Sequence, residues 1–427
     1  MGGIETSHNQ PQAHTSQKQT VIVLFGGRSA EHDVSRTSAV AVLRSIDQSR
    51  YDVVPIGINP SGGWVVSVSG QAYLQAISDG ADPATLPRQV DPIGASVDPS
   101  FLLPALAGGT NTYAEASLKA SSVDAVTASS LVLPSTASTG FRNLPVVLPI
   151  LHGPFGEDGT MQGLLELAGV PYVGPGVLAS AIAMDKGVAK ELFAVAGLQQ
   201  AQWLTVAAWN VADGADQTAF ISKAGEELGY PMFVKPANMG SSVGVSKATD
   251  AESLKKALEV AFGFDDYVVV EETIVGREIE FAVLGNENPE VSIAGEIKPG
   301  ADFYDYDDKY LDDSAKFLIP APMPAETMAE GQALALRAYK ALRCEGMSRV
   351  DFFLDDGSRG GTGRGWVINE INTIPGFTPI SMYPRMWEAS GVSYAQLLDK
   401  LIALAVARHD RRSGRVGRSR HEEHNEA

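Results

Sequence analysis

The sequence predicts a protein of mixed α/β and α+β architecture with about three domains. Its 427 residues suffice for about three separate cores at roughly 150 residues per domain. The first predicted elements are an apolar strand, an amphipathic helix and a second strand, an order that is typical of a parallel βαβ unit. Beyond residue 267, strand-like runs recur with a helix among them, which is typical of a mostly antiparallel sheet that carries helices.

The N-terminal αβ domain is predicted over residues 20–180, after a polar tail at residues 1–19 that we expect to be disordered. An apolar run at residues 21–25, closed by two glycines, indicates a buried parallel strand, and Ser29 is placed to cap the helix that follows. Residues 81–139 are rich in Ala, Ser, Thr, Pro and Gly and show weak periodicity. They therefore predict an insertion or a long surface loop, to which we assign no chemistry.

Two α+β subdomains are predicted to follow. Residues 181–266 form the central one, in which two strands bracket a helix, and residues 267–408 form the C-terminal one. The last helix is predicted to end near residue 408. Residues 409–427 carry several arginines among Ser, Gly and His, and this composition predicts a disordered basic tail.

Charge and composition exclude several classes of function. The 33 basic and 51 acidic residues give a net charge of −18, which repels phosphate backbones and anionic lipids and argues against nucleic-acid or membrane-surface binding. A small ligand, or one bound through a metal cation, fits this charge better. The single cysteine, Cys344, cannot form an internal disulfide, and neither a membrane helix nor a signal-peptide apolar region is apparent. We therefore expect a cytoplasmic protein.

One glycine-rich segment has the form of a dinucleotide-binding fingerprint but is better explained as a turn. Residues 174–179 match G-x-G-x-x-A between a strand and a helix. The match does not lie in the first βα turn of its domain, and Pro175 stiffens it, so a helix-entry turn is the favoured interpretation. The P-loop pattern G-x-x-x-x-G-K-[ST] does not occur in the sequence.

Residues 235–245 are a better candidate for a phosphate-binding loop. Lys235 ends a predicted strand, and the loop that follows contains two glycines together with Ser241 and Ser242. Backbone N–H groups and hydroxyls of such a loop can surround phosphate oxygens, while the lysine supplies positive charge. An ordinary glycine-containing hairpin explains the loop equally well.

Polar side chains alternate along two predicted strands near the C-terminus. Alternation places Arg349 and Asp351 on one face of their strand, and Glu370 and Asn372 on one face of the next. Carboxylate and amide oxygens are ligands that suit Mg²⁺, and a tight turn at residues 373–376 follows directly. Solvated strand faces are the alternative, which the apolar opposite face of the Asp351 strand makes weaker.

Several sequence blocks, taken together and in order, carry a family resemblance. They are residues 25–35, 151–163, 184–186, 235–245, 303–310 and 369–378. Through these blocks the chain resembles the D-alanine–D-alanine ligase family of ATP-grasp enzymes. The resemblance implies an ATP-grasp fold, in which an N-terminal αβ (preATP-grasp) domain precedes two α+β ATP-grasp subdomains that hold ATP between them.

The resemblance also implies a set of nucleotide and metal contacts. ATP contacts are implied for Lys186, Lys235, Ser241, Ser242, Glu271, Glu272, Ile274, Glu278 and Lys309. Asp351, Glu370 and Asn372 match the family's magnesium ligands, which implies two Mg²⁺ ions, with Mn²⁺ as a substitute. Glu272 stands at a position that is often basic in relatives.

The implied reaction joins two D-alanines through a D-alanyl phosphate, for peptidoglycan precursor synthesis in cell-wall formation. Catalytic residues implied by the resemblance are Glu31, Ser241, Tyr310, Arg349 and Gly376; substrate contacts are implied for Glu31, His152, Tyr310, Arg349, Gly376, Ser381 and Met382. On the residues alone, the favoured interpretations are that Glu31 interacts with the dipole of its helix and that His152 is an ordinary loop histidine. A homodimer is also implied. The alternatives are a D-alanine–D-lactate ligase, which the tyrosine-bearing loop disfavours, and an inactive nucleotide-binding protein.

Overall fold

The computed structural model describes residues 18–66, 144–298 and 316–415. Within these ranges the strands form three sheets, one for each predicted domain. The predicted insertion at 81–139 lies outside the described residues. So do Lys309 and Tyr310.

The N-terminal sheet has the predicted βαβ beginning. Its elements are β1 (Gln19–Gly26), α1 (His32–Ser45), β2 (Tyr51–Ile58), β3 (Trp64–Val66), β4 (Val146–Ile150), α2 (Thr160–Ala168) and α3 (Val177–Met184). The strand order is β3, β2, β1, β4, and β1 pairs in parallel with both β2 and β4. Alternate residues of β1 enter two different buried clusters, Val21, Val23 and Phe25 on one face and Ile22 and Leu24 on the other, which explains why its apolar run is continuous rather than alternating.

The central sheet is antiparallel and has the strand order β5, β8, β6, β7. Its elements, with the helices beside it, are α4 (Lys186–Val195), β5 (Trp203–Ala207), α5 (Gly214–Glu227), β6 (Met232–Pro236), β7 (Ser246–Ala248), α6 (Ala251–Phe262) and β8 (Tyr267–Glu272). The predicted boundary at residue 267 is therefore wrong, because β8 is an inner strand of this sheet. Its fully buried valines pair with β5 on one side and β6 on the other.

The C-terminal sheet is also antiparallel and carries the two strands with predicted polar faces. Its elements are β9 (Arg277–Gly285), β10 (Glu290–Val291), β11 (Gly295–Lys298), β12 (Lys316–Leu318), α7 (Ala325–Ala341), β13 (Gly346–Asp355), β14 (Gly365–Asn372), α8 (Met382–Ala389) and α9 (Tyr394–Ser413). The strand order is β12, β11, β9, β13, β14, with β10 paired to β9. The aromatic rings of Phe281, Phe352 and Trp366 pack edge to face or tilted beneath α7.

The final helix is longer than the sequence indicated. We predicted its end near residue 408, with a disordered tail from residue 409, but α9 continues to Ser413. Arg411 and Arg412 in its last turn both pair with Glu345, and Arg411 also pairs with Glu287. These distant carboxylates hold the basic turn on the C-terminal sheet, and cations also suit the C-terminus of a helix.

One apolar core joins the N-terminal and C-terminal domains. Val23 and Leu148 of the first sheet belong to the same buried cluster as Leu284 on β9, Trp387 on α8 and Leu401 on α9. The strand ends of the two sheets are therefore fixed relative to each other by burial. Across the described ranges, no helix is both long and apolar enough to cross a membrane.

The fingerprint-like segment at residues 174–179 is the entry turn of α3, as we favoured. Gly176 is the residue that precedes this helix. The buried Arg408 of α9 donates hydrogen bonds to the carbonyl oxygens of Tyr172 and Gly174. A Cβ atom on Gly176 would lie 3.1 Å from the guanidinium of Arg412. The turn is thus packed against two arginines of the chain.

Candidate active site

A cleft of about 950 Å³ lies where the three sheets meet, a size typical of small-molecule sites. Fourteen of the predicted site residues line it: Glu31, His152, Lys186, Lys235, Ser241, Ser242, Glu278, Arg349, Asp351, Glu370, Asn372, Gly376, Ser381 and Met382. Glu271, Glu272 and Ile274, for which ATP contacts were predicted, are not among the described lining residues. All three domains thus contribute to one cavity.

The floor of the cleft is a charged face of the C-terminal sheet. Arg349 lies opposite Asn372, and Asp351 lies opposite both Glu370 on β14 and Glu280 on β9. The predicted alternation on β13 is confirmed, because Val350 and Phe352 point into the core. Strands distant in sequence therefore align carboxylates and an arginine in adjacent positions.

A β-bulge modifies the predicted alternation on β14. The pairing of β13 with β14 shifts between Asp351 and Phe352, so that Asn369 has no partner across the ladder. Ile368 and Ile371 both enter the core, while Asn369 and Glu370 both line the cleft. Simple alternation from Glu370 and Asn372 predicts that Asn369 lies on the opposite face of β14, and this prediction is wrong because alternation cannot register an inserted residue.

Arg349 is held by two carboxylates. Its Nε and Nη2 donate to the two oxygens of Asp351 at 2.8 and 2.7 Å, and its Nε is 3.1 Å from Oε1 of Glu280. Burial opposes the charge, yet Asp351 and Glu280 keep the pKa of Arg349 well above its usual value. The guanidinium is therefore a fixed cation that faces the cleft.

The donor chemistry of this face fits Mg²⁺. Asp351 accepts a hydrogen bond from Asn372 Nδ2 at 2.9 Å, and Glu370 lies directly across the ladder. Two carboxylates and one amide are hard oxygen donors, and Mg²⁺ usually takes few protein ligands, with phosphates and water completing its octahedron. In the described part of the chain, no group of three or more His, Cys, Asp or Glu side chains has metal-binding geometry.

Two predicted phosphate-binding lysines lie above this face. Lys186 begins α4, whose N-terminus Asp185 caps, and its Nζ lies 3.9 Å from Oε2 of Glu370. Lys235 Nζ donates to Oε2 of Glu271 at 2.9 Å. A third lysine, Lys190, contacts the other oxygen of Glu271 and was not predicted.

The loop at residues 235–245 is both a hairpin and a wall of the cleft. It connects β6 with β7, which pair antiparallel, so the hairpin interpretation holds for its backbone. Ser241 and Ser242 have φ values of 49° and 59°, a region that non-glycine residues rarely adopt and that often marks functional loops. The Ser241 hydroxyl donates a short hydrogen bond to Glu31 Oε1, which closes the loop onto the N-terminal domain.

Glu31 and His152 occupy the N-terminal side of the cleft. Glu31 precedes α1 but makes no side-chain capping bond, which disfavours a purely helical role for its carboxylate. Ser29 does not cap this helix as predicted, and its hydroxyl instead donates to the carbonyl oxygen of His152 at 2.6 Å. The buried His152 ring approaches the Ile374 carbonyl at 3.0 Å, and burial lowers the pKa of its imidazole.

The turn after β14 supplies the remaining predicted residues. Ser381 precedes α8, and its Oγ accepts from the backbone N–H of Thr378 at 3.0 Å. A Cβ atom on Gly376 would lie 2.8 Å from this Oγ, so only glycine fits beside Ser381 without a shift. Met382 is buried at the start of α8.

Comparison with known proteins identifies the family. Profiles described as the D-ala D-ala ligase N-terminus and C-terminus match residues 20–175 and 192–403. The D-alanine–D-alanine ligase of Acetivibrio thermocellus is 45% identical over 394 residues, which cover 92% of this chain and 97% of that protein. The chain belongs to the D-alanine–D-alanine ligase family. A second member, from Geobacillus thermodenitrificans, is 43% identical over 393 residues, covering 92% and 96%.

Solved structures of the family agree in fold, which confirms the predicted ATP-grasp architecture. The D-alanine–D-alanine ligase from Coxiella burnetii has a TM-score of 0.69 and 32% identity, covering 92% of this chain and 96% of its own. The VanG D-Ala:D-Ser ligase from Enterococcus faecalis has a TM-score of 0.69 and 34% identity, covering 91% and 100%.

In this member of the family, two cleft carboxylates were missed by sequence reasoning. Glu280 shares a face with Glu278 at strand spacing, a signal that could have found it. The buried Glu157 accepts from the backbone N–H groups of Gly153 at 2.8 Å and Ile374 at 3.3 Å. Burial and the nearby Glu31 charge raise the pKa of Glu157 to about 8, and nothing in its own segment signals this.

Proposed function

We propose that this chain joins two D-alanine molecules into D-alanyl-D-alanine while ATP is converted to ADP and phosphate. The observation that carries the proposal is the shared cleft, which is lined by Glu31 of the N-terminal domain, Arg349 of the C-terminal sheet and Lys235 of the central sheet. The same cleft thus contains a carboxylate that can bind an ammonium group, a guanidinium that can stabilise an oxyanion and an ammonium that can bind phosphate. The names of the family members give the substrate.

The proposed chemistry proceeds in two transfers. A carboxylate oxygen of the first D-alanine bonds to the γ-phosphorus of ATP, the bond from that phosphorus to the bridging oxygen breaks, and ADP leaves. The product is D-alanyl phosphate, whose phosphate is a far better leaving group than the oxygen of the unactivated carboxylate. The amine of the second D-alanine then attacks the carbonyl carbon, and phosphate and a proton depart.

The chain's own residues have distinct roles in this proposal. Glu31 binds the ammonium group of the first D-alanine, beside His152, and Ser241 fixes the Glu31 carboxylate. Arg349 and the N–H of Gly376 stabilise negative charge on the tetrahedral oxygen. Contacts to the second D-alanine are assigned to Ser381, Met382 and Tyr310, and the presence of Tyr310 favours an amine over D-lactate as the acceptor.

Nucleotide and metal contacts complete the proposal. Phosphate contacts are assigned to Lys186, Lys235, Ser241, Ser242 and Lys309, and adenosine contacts to Glu271, Glu272, Ile274 and Glu278. Asp351, Glu370 and Asn372, which paired strands bring together, would hold two Mg²⁺ ions, for which Mn²⁺ would substitute. When bound, these ions neutralise charge on the triphosphate.

We also propose that the enzyme is a cytoplasmic homodimer that serves peptidoglycan synthesis. The buried, unpaired Cys344, whose pKa burial raises to about 12, supports a protein that needs no disulfide. Light scattering during size-exclusion chromatography tests the dimer, and fractionation of cells that express the chain tests its location.

The function is tested by product analysis. We expect purified protein with ATP, Mg²⁺ and D-alanine to release phosphate and ADP and to form the dipeptide, identified by mass spectrometry. Mixed D-alanine and D-lactate, compared across pH, should give amide rather than ester. No phosphate above a blank without D-alanine would contradict the proposal, and ATP binding without turnover would support an inactive nucleotide-binding protein.

A further inference from the structure

Lys190 is a buried lysine with no role in the proposed reaction. It lies on α4, where helical spacing places it on the same side as Lys186, yet its side chain is only 2% exposed. Lysine is almost never buried to this extent without a partner. Lys190 Nζ lies 3.4 Å from Glu271 Oε1 and 5.5 Å from the centre of the Trp203 ring.

Glu271 is shared between two lysines on separate elements. Its Oε1 faces Lys190 on α4, and its Oε2 accepts from Lys235 on β6 at 2.9 Å. Trp203 lies directly opposite Glu271 in the β5–β8 ladder, so an aromatic ring covers the pair. Burial opposes ionisation, but the two lysines lower the pKa of Glu271 to about 2.

The two lysines differ in their access to the cleft. Lys235 lines the cleft and its side chain is 15% exposed, whereas Lys190 is not among the described lining residues. A phosphate group in the cleft can therefore draw Lys235 away from Glu271. Lys190 has no such route, because its ammonium is enclosed by Glu271 and Trp203.

We propose that Lys190 is a positioning residue that holds the Glu271 carboxylate in place when Lys235 turns to the nucleotide phosphates. The inference rests on the proposed use of ATP. Without Lys190, Glu271 would retain Lys235 as its counter-charge among the described residues, because a buried carboxylate without a partner is strongly disfavoured. Lys235 would then be unavailable to phosphate, so Lys190 acts on nucleotide affinity through Glu271.

The test measures ADP binding by calorimetry, and the KM values for ATP and D-alanine, in the full chain. For Lys190→Met we expect ADP affinity to fall, and KM for ATP to rise, about 10- to 100-fold, by analogy with the loss seen when a partner that orients a metal ligand is removed. KM for D-alanine should change less than about twofold, and Lys190→Arg should restore most of the ATP affinity. Lys256→Met, at an exposed lysine on α6, is the matched control.

A double-variant cycle separates a positioning role from a general loss of structure. If Lys190 acts through Glu271, then Lys190→Met should weaken ADP binding less than about threefold in a Glu271→Gln background. Equal losses in both backgrounds, or unchanged ADP affinity in Lys190→Met, would overturn the inference. If Lys190→Met does not fold, as judged by thermal unfolding, Lys190→Gln takes its place in the cycle.

The inference and the proposed function fail in different ways. A parent protein that neither binds ADP nor turns over ATP would contradict the function. A parent protein that does both, with a Lys190→Met variant indistinguishable from Lys256→Met, would contradict only the role of Lys190.

Discussion

Replacement of Arg349 by alanine should remove both a structural ion pair and the oxyanion donor that we propose for catalysis. The substitution leaves the carboxylates of Asp351 and Glu280 facing each other without the guanidinium that now bridges them. Both side chains are largely buried, at 13% and 5% exposure. Breaking a buried pair costs about 3–5 kcal/mol, so we expect the free energy of unfolding to fall by about that amount.

The catalytic loss is separate from this loss of stability. Removal of one hydrogen-bond donor to an oxyanion typically lowers kcat by a factor of about 10²–10³. Because Arg349→Ala also removes a positive charge, we expect its loss of kcat to lie at or above the upper end of this range. Arg349→Lys retains the charge but loses the two-pronged bond to Asp351, so its stability and kcat should lie between those of alanine and the parent. ADP binding, which we have proposed to depend on Lys186 and Lys235, should persist in both variants.

The assay combines urea unfolding with phosphate release at a temperature where each variant is folded. Calorimetry with ADP shows whether the nucleotide site remains. A kcat for Arg349→Ala within about tenfold of the parent, with the protein folded, would refute the assigned role. Unchanged stability would refute the described ion pair.

Three further variants test other contacts of the cleft. Glu157→Gln removes a carboxyl group whose pKa is raised from 4.5 to about 8 in the folded protein. Because the parent loses stability as pH rises through this interval, the Tm of the variant relative to that of the parent should increase with pH. A Tm difference that is constant with pH would contradict the pKa shift. Ser241→Ala removes the hydrogen bond to Glu31 and should raise KM for D-alanine about tenfold in steady-state kinetics; an unchanged KM would argue against this contact. Gly376→Ala should displace the Ser381 hydroxyl and raise KM for D-alanine, whereas Gly163→Ala, with open space around its Cβ, should not; equal KM values for the two would contradict the close approach.

Local sequence patterns predicted those features of the site that are determined within a single strand. Alternation along residues 349–352 placed Arg349 and Asp351 on the face that borders the cleft, because period-two geometry is fixed by the backbone alone. The βαβ beginning was predictable for the same reason, since its strand has a continuous apolar run.

Contacts between distant segments were not predictable from such patterns. Glu280 meets Arg349, and Lys190 meets Glu271, only because strands and helices far apart in sequence become neighbours. The membership of Tyr267–Glu272 in the central sheet depends equally on which strands lie beside it. A valine-rich segment predicts a buried strand, but its composition does not indicate to which sheet the strand belongs.

The extension of α9 to Ser413 has a similar explanation. An arginine-rich segment appears solvated when it is considered alone, and the ion pairs of Arg411 and Arg412 with Glu287, Glu345 and Glu166 exist only in the folded chain. Tertiary partners, rather than helix propensity, hold this last turn.

Transfer of labelled oxygen tests the central claim most directly. D-alanine that carries oxygen-18 in its carboxylate is incubated with the enzyme, ATP and Mg²⁺, and the phosphate released is analysed by mass spectrometry. If the first D-alanine is activated as an acyl phosphate in this cleft, each phosphate released should contain one oxygen-18 atom. Phosphate without label, formed at the same rate as the dipeptide, would contradict the account.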